Sequence, residues 1–275
     1  MSREDAEVLL RDAGQADDAD IDIALTALAF AARVRQEAGA PHYRRHLRDL
    51  ADDVAAVAAP EGDLAAQIAA LQQVLITAHG YDGDRTTYDD LRNADLAHVI
   101  DRKRGLPVAL AILWLHAGRA QGWTLHGINF PAHFLLQIEC GDASAFVDPF
   151  NGGRTLTAAE LQQMLTAVAG AEAELAGTHL APLSNRGILL RLQNNIKMRL
   201  LKSGNLADAL TVLEGMLLLA PAKGGLWHEA GLIHAQAENL RAAQTCLINA
   251  MELAENRAAR QRIAGELAAV RSKLN

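Results

Sequence analysis

Through the first eighty residues, apolar positions recur at every third or fourth place, the spacing of helices with one buried face. Ile21, Leu25, Leu28 and Ala32 share one side of a helix that Asp20 is placed to cap. Tyr43, Leu47, Leu50, Val54 and Val57 repeat the spacing behind Pro41, whose fixed φ and missing N–H suit a first turn, and Pro60 closes that helix. Asp63 opens a third helix with Leu64, Ile68, Leu71 and Leu75 as its stripe, and Gly80-Tyr81-Asp82-Gly83-Asp84 breaks it. A polar loop runs to Asn93, and a short helix is predicted over 95–101. From Pro107 to Gln121 the pattern changes. Val108, Leu110, Ala111, Ile112, Leu113, Trp114 and Leu115 leave no polar face, so this helix is predicted to lie at the centre of the fold, and Gly122 ends it.

Three strand-like runs follow, over 124–129, 134–140 and 145–147, with Gly141-Asp142 as a turn between the last two. Asn151-Gly152-Gly153 marks another turn. Thr157 and Glu160 then form a capping-box pattern ahead of Leu161, Leu165 and Val168. Residues 169–183 are rich in Ala and Gly and read as a linker. Beyond them Asn205-Leu206-Ala207-Asp208-Ala209 matches Asn239-Leu240-Arg241-Ala242-Ala243 at an offset of 34 residues, and Leu213 matches Leu247. Trp227, Gly231, Ala243, Leu247 and Ala250 fall on tetratricopeptide positions, and Pro221 ends the first repeat where that motif ends. Three such units normally make a stable stack. A capping helix from Asn256 to Leu274, and contacts of Ile188, Leu189 and Leu192 with the preceding domain, are expected to supply the rest.

The chain has 275 residues and a net charge of −7, with 21% charged and 50% hydrophobic residues. That is enough apolar content to close a core, and the acidic balance argues against general nucleic-acid binding, which needs a basic face. The densest basic run, Arg102-Lys103-Arg104, is read as a solvated helix entry. Cys140 and Cys246 form no CxxC, so neither zinc nor a redox dithiol is suggested, and each reads as a small buried hydrophobe. The start of the chain is acidic and has no apolar signal core, and the apolar run over 110–115 falls well short of the ~20 residues that span a membrane. A cytoplasmic protein with no membrane partner and no cofactor is expected.

The candidate chemistry lies in three segments: Gly105-Leu106-Pro107-Val108-Ala109-Leu110-Ala111, Pro131-Ala132-His133-Phe134-Leu135 and Phe146-Val147-Asp148-Pro149. Their order resembles the transglutaminase-like superfamily, in which a cysteine at a helix start, a histidine at a strand start and an aspartate on the next strand form the active site. A thiolate gains from a helix N-terminus, a histidine takes its proton, and an aspartate orients the histidine. Here Pro107 stands at the nucleophile position beside His133 and Asp148. With the repeats added, the chain resembles the SirB-type bacterial family over roughly Asp89 to Ala254, also through Asn129-Phe130-Pro131, Asn151-Gly152-Gly153 and Arg191-Leu192-Gln193-Asn194-Asn195. The resemblance implies an α+β, papain-like or transglutaminase-like domain over 1–168, helical over 1–80 and with its core and small antiparallel sheet over 81–168. A linker over 169–185 and an all-α tetratricopeptide domain over 186–275 complete the expected organisation.

Cys140 cannot replace the nucleophile. An odd offset of seven residues from His133 along a strand puts the two on opposite faces, ~23 Å apart. Asn93, Asn129 and Asn151 are candidate polar ligands of the same cleft, or turn residues. His42 and His46 have helical metal spacing but no third ligand, and read as an exposed polar face. Asp82, Asp84, Asp89 and Asp90 lack a calcium-loop pattern and read as a solvated loop. In the repeats Asn205, Trp227, His234 and Asn239 are candidates for binding a protein or peptide partner. The expectation is a non-catalytic interaction or regulatory protein. The alternatives are a hydrolase using His133 as general base without a cysteine, and a small-molecule sensor in the same cleft.

Overall fold

The computed structural model describes residues 1–274. Most of its helices begin where side chains or proline answer for free N–H groups. α1 (Arg3–Gln15) opens on a Ser2–Asp5 capping box. α2 (Ile23–Val34) is capped by Asp22, which accepts from the Leu25 N–H at 2.9 Å; the predicted cap, Asp20, lies instead in a preceding 3-10 turn. α3 (Pro41–Val57) starts on Pro41, and α4 (Leu64–Leu71) is capped by Asp63 and runs on into a π-helical turn over Gln72–Ala78. α5 (Leu96–Arg102) ends at Lys103, whose φ of +56° is left-handed, and α6 (Pro107–Arg119) starts on Pro107. α7 (Ala158–Ala169) has the predicted Thr157–Glu160 capping box. The chain closes with α8 (Asn185–Lys202), α9 (Leu206–Leu219), α10 (Gly224–Gln236), α11 (Leu240–Glu252) and α12 (Arg257–Leu274). Among the described residues no helix is long and apolar enough to cross a membrane.

Two sheets join these helices. β1 (Asp82–Gly83) and β2 (Arg104–Gly105) form a short parallel pair. β3 (Thr124–Ile128), β4 (Leu135–Cys140), β5 (Ala143–Asp148), β6 (Arg154–Leu156) and β7 (Pro182–Leu183) form an antiparallel sheet in the order β6-β5-β4-β3-β7. Alternation along β4 sends Leu136 and Ile138 to the main core with Val147, and Leu135 to a second cluster with Leu161 and Leu165 of α7. The sheet thus has α6 on one face and α7 on the other. The stretch expected as a linker supplies β7, in which Leu183 pairs with Gly127.

The core does not divide at that stretch. One apolar cluster contains Leu10 of α1, Phe30 of α2, the whole of α6 from Val108 to Leu115, Leu189 of α8 and Leu213 of α9. The N-terminal helices therefore pack on the C-terminal ones as well as on the sheet. Buried Arg33 of α2 donates to the carbonyl of Thr211 and, at 2.7 Å, to Glu214, both on α9. Asp18 accepts the Asn185 and Arg186 N–H groups at 2.7 and 2.9 Å, capping α8 from far upstream. The 34-residue repeat is real in the backbone. Asn205 and Asn239 occupy the same place in two matching turns, behind Gly204 (φ +77°) and Glu238 (φ +59°). Gly231 lets α10 and α11 approach closely: a Cβ there would meet Leu247 at 2.7 Å. A separate cluster of Ala243, Leu247, Ile263 and Leu267 ties α11 to α12.

His42 is exposed, but His46, expected on the same polar face, is half-buried. Its Nε2 is 2.6 Å from the Tyr81 hydroxyl and 3.2 Å from Lys103 Nζ, so α3 is pinned to the residues that lead into β1 and β2. Burial, and then the positive charge of Lys103, lower the His46 pKa to about 4. Between that value and the ordinary histidine value of 6.5 the native state binds fewer protons than the unfolded chain, so stability rises with pH. Acidification from pH 7 to 4 is therefore expected to lower the denaturation midpoint, and His46→Gln to remove part of that slope. Chemical denaturation across this range measures it; an unchanged slope in the variant would refute the assignment. A second prediction concerns Gly153, at φ +71°, where a Cβ would lie 2.3 Å from the Trp114 ring. Gly153→Ala should cost about 2–4 kcal/mol and lower the melting temperature by roughly 5–15 °C, as calorimetry would show.

Candidate functional site

The site is assembled by three short pieces of backbone. Pro107 is the first residue of α6, buried, with the N-terminus of the helix behind it. His133 ends the turn between β3 and β4, whose previous residue, Ala132, has φ +56°, and its N–H bonds the Phe130 carbonyl at 2.9 Å. Asp148 is the last residue of β5 and is wholly buried. His133 Nε2 lies 3.0 Å from Asp148 Oδ1. The same carboxylate accepts from the N–H groups of Phe150 at 3.1 Å and Asn151 at 3.3 Å, and from Asn151 Nδ2 at 2.7 Å. Burial pushes the Asp148 pKa up, but the bonds from His133 and Asn151 outweigh it and hold the carboxyl below its ordinary range. Asp148 is thus ionised at neutral pH, and Nε2 must carry the proton it donates. Nδ1 of His133 has no hydrogen-bond partner among the described residues.

The histidine and aspartate are brought together as a catalytic pair would be, but there is little room beside them. Leu106, Pro107, Val108, Ala132, His133 and Phe134 line a pocket of about 10 Å³, with Tyr88, Arg191 and Asn195 closing it. That is about one water molecule. Among the described residues no cysteine, serine or threonine lines it. The arrangement can orient an imidazole; among the described residues it sets no Cys, Ser or Thr side chain beside it. Cys140, at the far end of β4, receives a contact from Gln67 Nε2 at 3.4 Å and faces α4 instead.

The three asparagines separate. Asn151 belongs to the site, bonding Asp148 and accepting from Arg85 Nη2 at 2.9 Å. Asn129 accepts from Arg191 Nε at 3.1 Å and so ties the β3 end to α8 beside the pocket. Asn93 is fully buried elsewhere, donating to the Thr87 carbonyl at 2.6 Å and accepting from Arg102 at 2.8 Å. Arg102 also bonds Asp84 at 2.9 Å, so Asp84 is a buried partner rather than part of a solvated loop. The Thr87 hydroxyl, opposed by burial and helped by the Thr87 N–H and Arg102, holds the Asp84 carboxyl far below the usual range. Arg191, Asn195 and Tyr88 went unpredicted as pocket residues. Arg191 and Asn195 sit within the motif run at 191–195, which was the one signal that could have marked them.

In the C-terminal helices Trp227 and His234 of α10 line a groove of about 440 Å³ with Leu210, Leu217 and Cys246, closed on one side by Arg11 and Gln15 of α1. Trp227 Nε1 donates to the Pro221 carbonyl at 2.8 Å. Asn205 and Asn239 lie outside the groove, at the turns before α9 and α11, where Asn205 accepts from the Asp208 N–H at 3.2 Å. Among the described residues, no three His, Cys, Asp or Glu side chains converge as a metal site requires.

Known proteins are similar to this chain over part of its length. The description "Transglutaminase-like superfamily" matches residues 41–194, which hold α3 to α7, both sheets and the His133–Asp148 pair. A UPF0162 protein of Xylella fastidiosa (strain 9a5c) is 30% identical over 190 residues, 68% of this chain and 68% of that protein. A UPF0162 protein of Vibrio cholerae is 32% identical over 179 residues, 65% of this chain and 66% of its own. Human F-box only protein 21 is 30% identical over 104 residues, 35% of this chain and 17% of that protein. With a match over more than half its length, enclosing the site just described, the chain belongs to the transglutaminase-like superfamily alongside the UPF0162 proteins.

Proposed function

We propose that this protein works without covalent catalysis, as a transglutaminase-like, SirB-type protein whose C-terminal tetratricopeptide-type hairpins bind a protein or peptide partner. One observation carries the reading: Pro107 occupies the start of α6, where a nucleophile would stand, and the space between it and His133 is about 10 Å³. Proline fits a first helical turn and has no group that can attack. The His133–Asp148 pair supports the fold instead. Asp148 organises the Pro149–Asn151 turn with its remaining hydrogen bonds, and His133 is one more donor to a buried carboxylate. The groove beside Trp227 and His234 is apolar and large enough for two or three side chains of a peptide, which supports the partner-binding part of the reading.

The test is enzymatic. Purified protein is expected to incorporate no dansylcadaverine into casein and to hydrolyse no peptide amide above the rate without protein; turnover sensitive to iodoacetamide would overturn the reading. A companion variant checks the geometry. Pro107→Cys puts a thiol at a helix N-terminus beside an imidazole, so its thiolate, followed by ultraviolet absorbance, should form at least about one pH unit below that of a free cysteine. A thiolate that forms no earlier than in a free cysteine would mean that position 107 does not face His133 as described.

A further inference from the structure

Between α2, α5, α8 and α9, away from both His133 and Trp227, lies a pocket of about 230 Å³. Its walls are apolar, with Ala27, Phe30 and Ala31 on α2, Ile196 and Leu200 on α8, and Val212 on α9. His98, Asp208 and Thr211 also line it, but only one of its polar side chains is buried. Gln193 of α8 is 4% exposed and lines the pocket, yet its side-chain amide makes no hydrogen bond within the described residues. A buried amide without a partner is a costly arrangement, because its lost hydration is not replaced. The amide is not sealed in protein either, since its atoms are not among the fully buried polar atoms that lack a partner. It opens into the pocket.

The repeat explains the space. Gln193 stands 34 positions before Trp227, so the first hairpin has an amide where the second has an indole. The smaller side chain leaves room that the surrounding helices have not closed. The charged groups that line it have partners: Arg35 meets Asp95 at 3.2 Å, Arg92 meets Asp90 at 2.6 Å, and exposed Asp208 accepts from Asn205 Nδ2 at 2.6 Å. A charged ligand would have to compete with these contacts.

We propose that this pocket binds a small uncharged molecule, apolar in bulk, with one carbonyl, amide or hydroxyl group that pairs with Gln193. The volume exceeds the ~150 Å³ of an engineered apolar cavity that takes benzene, so a substituted ring or branched chain of that order fits. This site is independent of the reading of the His133 cleft.

The probes are benzamide, toluene and benzoate, which share a ring and differ in what the substituent offers. Each is titrated into the full chain by calorimetry and by ligand-observed saturation-transfer NMR. Benzamide is expected to bind at least about tenfold more tightly than toluene, the worth of one good buried hydrogen bond, and benzoate not detectably. Gln193→Leu should lower benzamide affinity to the toluene level while leaving toluene binding unchanged, which also shows that the pocket is still formed. Ala31→Phe fills the pocket from α2 and should abolish binding of both. The proposal is overturned if benzamide fails to bind the unaltered chain, if benzoate binds as well as benzamide, or if Gln193→Leu leaves benzamide affinity intact. Should Gln193→Leu fail to fold, Ala31→Phe decides: retained benzamide binding places the molecule elsewhere and overturns the proposal.

Discussion

α6 is apolar on every side, and that requirement organises the rest of the molecule. Eleven of its thirteen residues are buried, so some other element must cover each face. α2, α3 and α4 cover it from the N-terminal part, β3 and β4 through Leu125, Leu136 and Ile138, and α8 from the C-terminal part. At ~25 cal/mol per Å² of apolar surface, no polar contact described above approaches what this burial contributes. Because the start of α6 is the point where Pro107 meets His133, the geometry of the site follows from how this helix is enclosed. The residual pair needs no catalytic role to persist: Asp148 ends β5, caps the next turn and is fully buried, and a buried carboxylate requires donors.

Where a structural decision is local, the sequence announced it. Asp63, Pro41 and the Thr157–Glu160 box start helices as expected, since a cap is decided within three or four residues. The central helix was legible for a related reason: a stripe that runs all the way round is its own evidence of burial. The two- and three-residue strands β1, β2, β6 and β7 were not, because a period of two cannot be read in so few positions. Asp20 and Asp22, two residues apart, look alike as caps in sequence, and only the backbone separates them.

The site was half legible. Motif order identified His133, Asp148 and Pro107, and with them the neighbour Asn151. Asn93 looked equivalent to Asn151 in sequence, yet it is consumed by Thr87 and Arg102. His46 likewise lies at the edge of a polar helix face, and its burial depends on Tyr81 and Lys103 from another part of the chain. Long-range partners of this kind leave no mark in local composition. The Ala- and Gly-rich stretch after α7 misled for the same reason: its neighbours, not its residues, make Leu183 an edge strand.

The superfamily match ends at residue 194, and α8 runs from Asn185 to Lys202. One helix therefore runs across the end of the matched region and serves both the matched residues and those beyond them. Its first turns hold the sheet, where Ile188 packs at Gly127, and its last turns carry Lys197 to Glu229 on α10. An insertion or deletion of a single residue within α8 would rotate one half of the protein about 100° against the other. In this helix the two parts cannot change length independently.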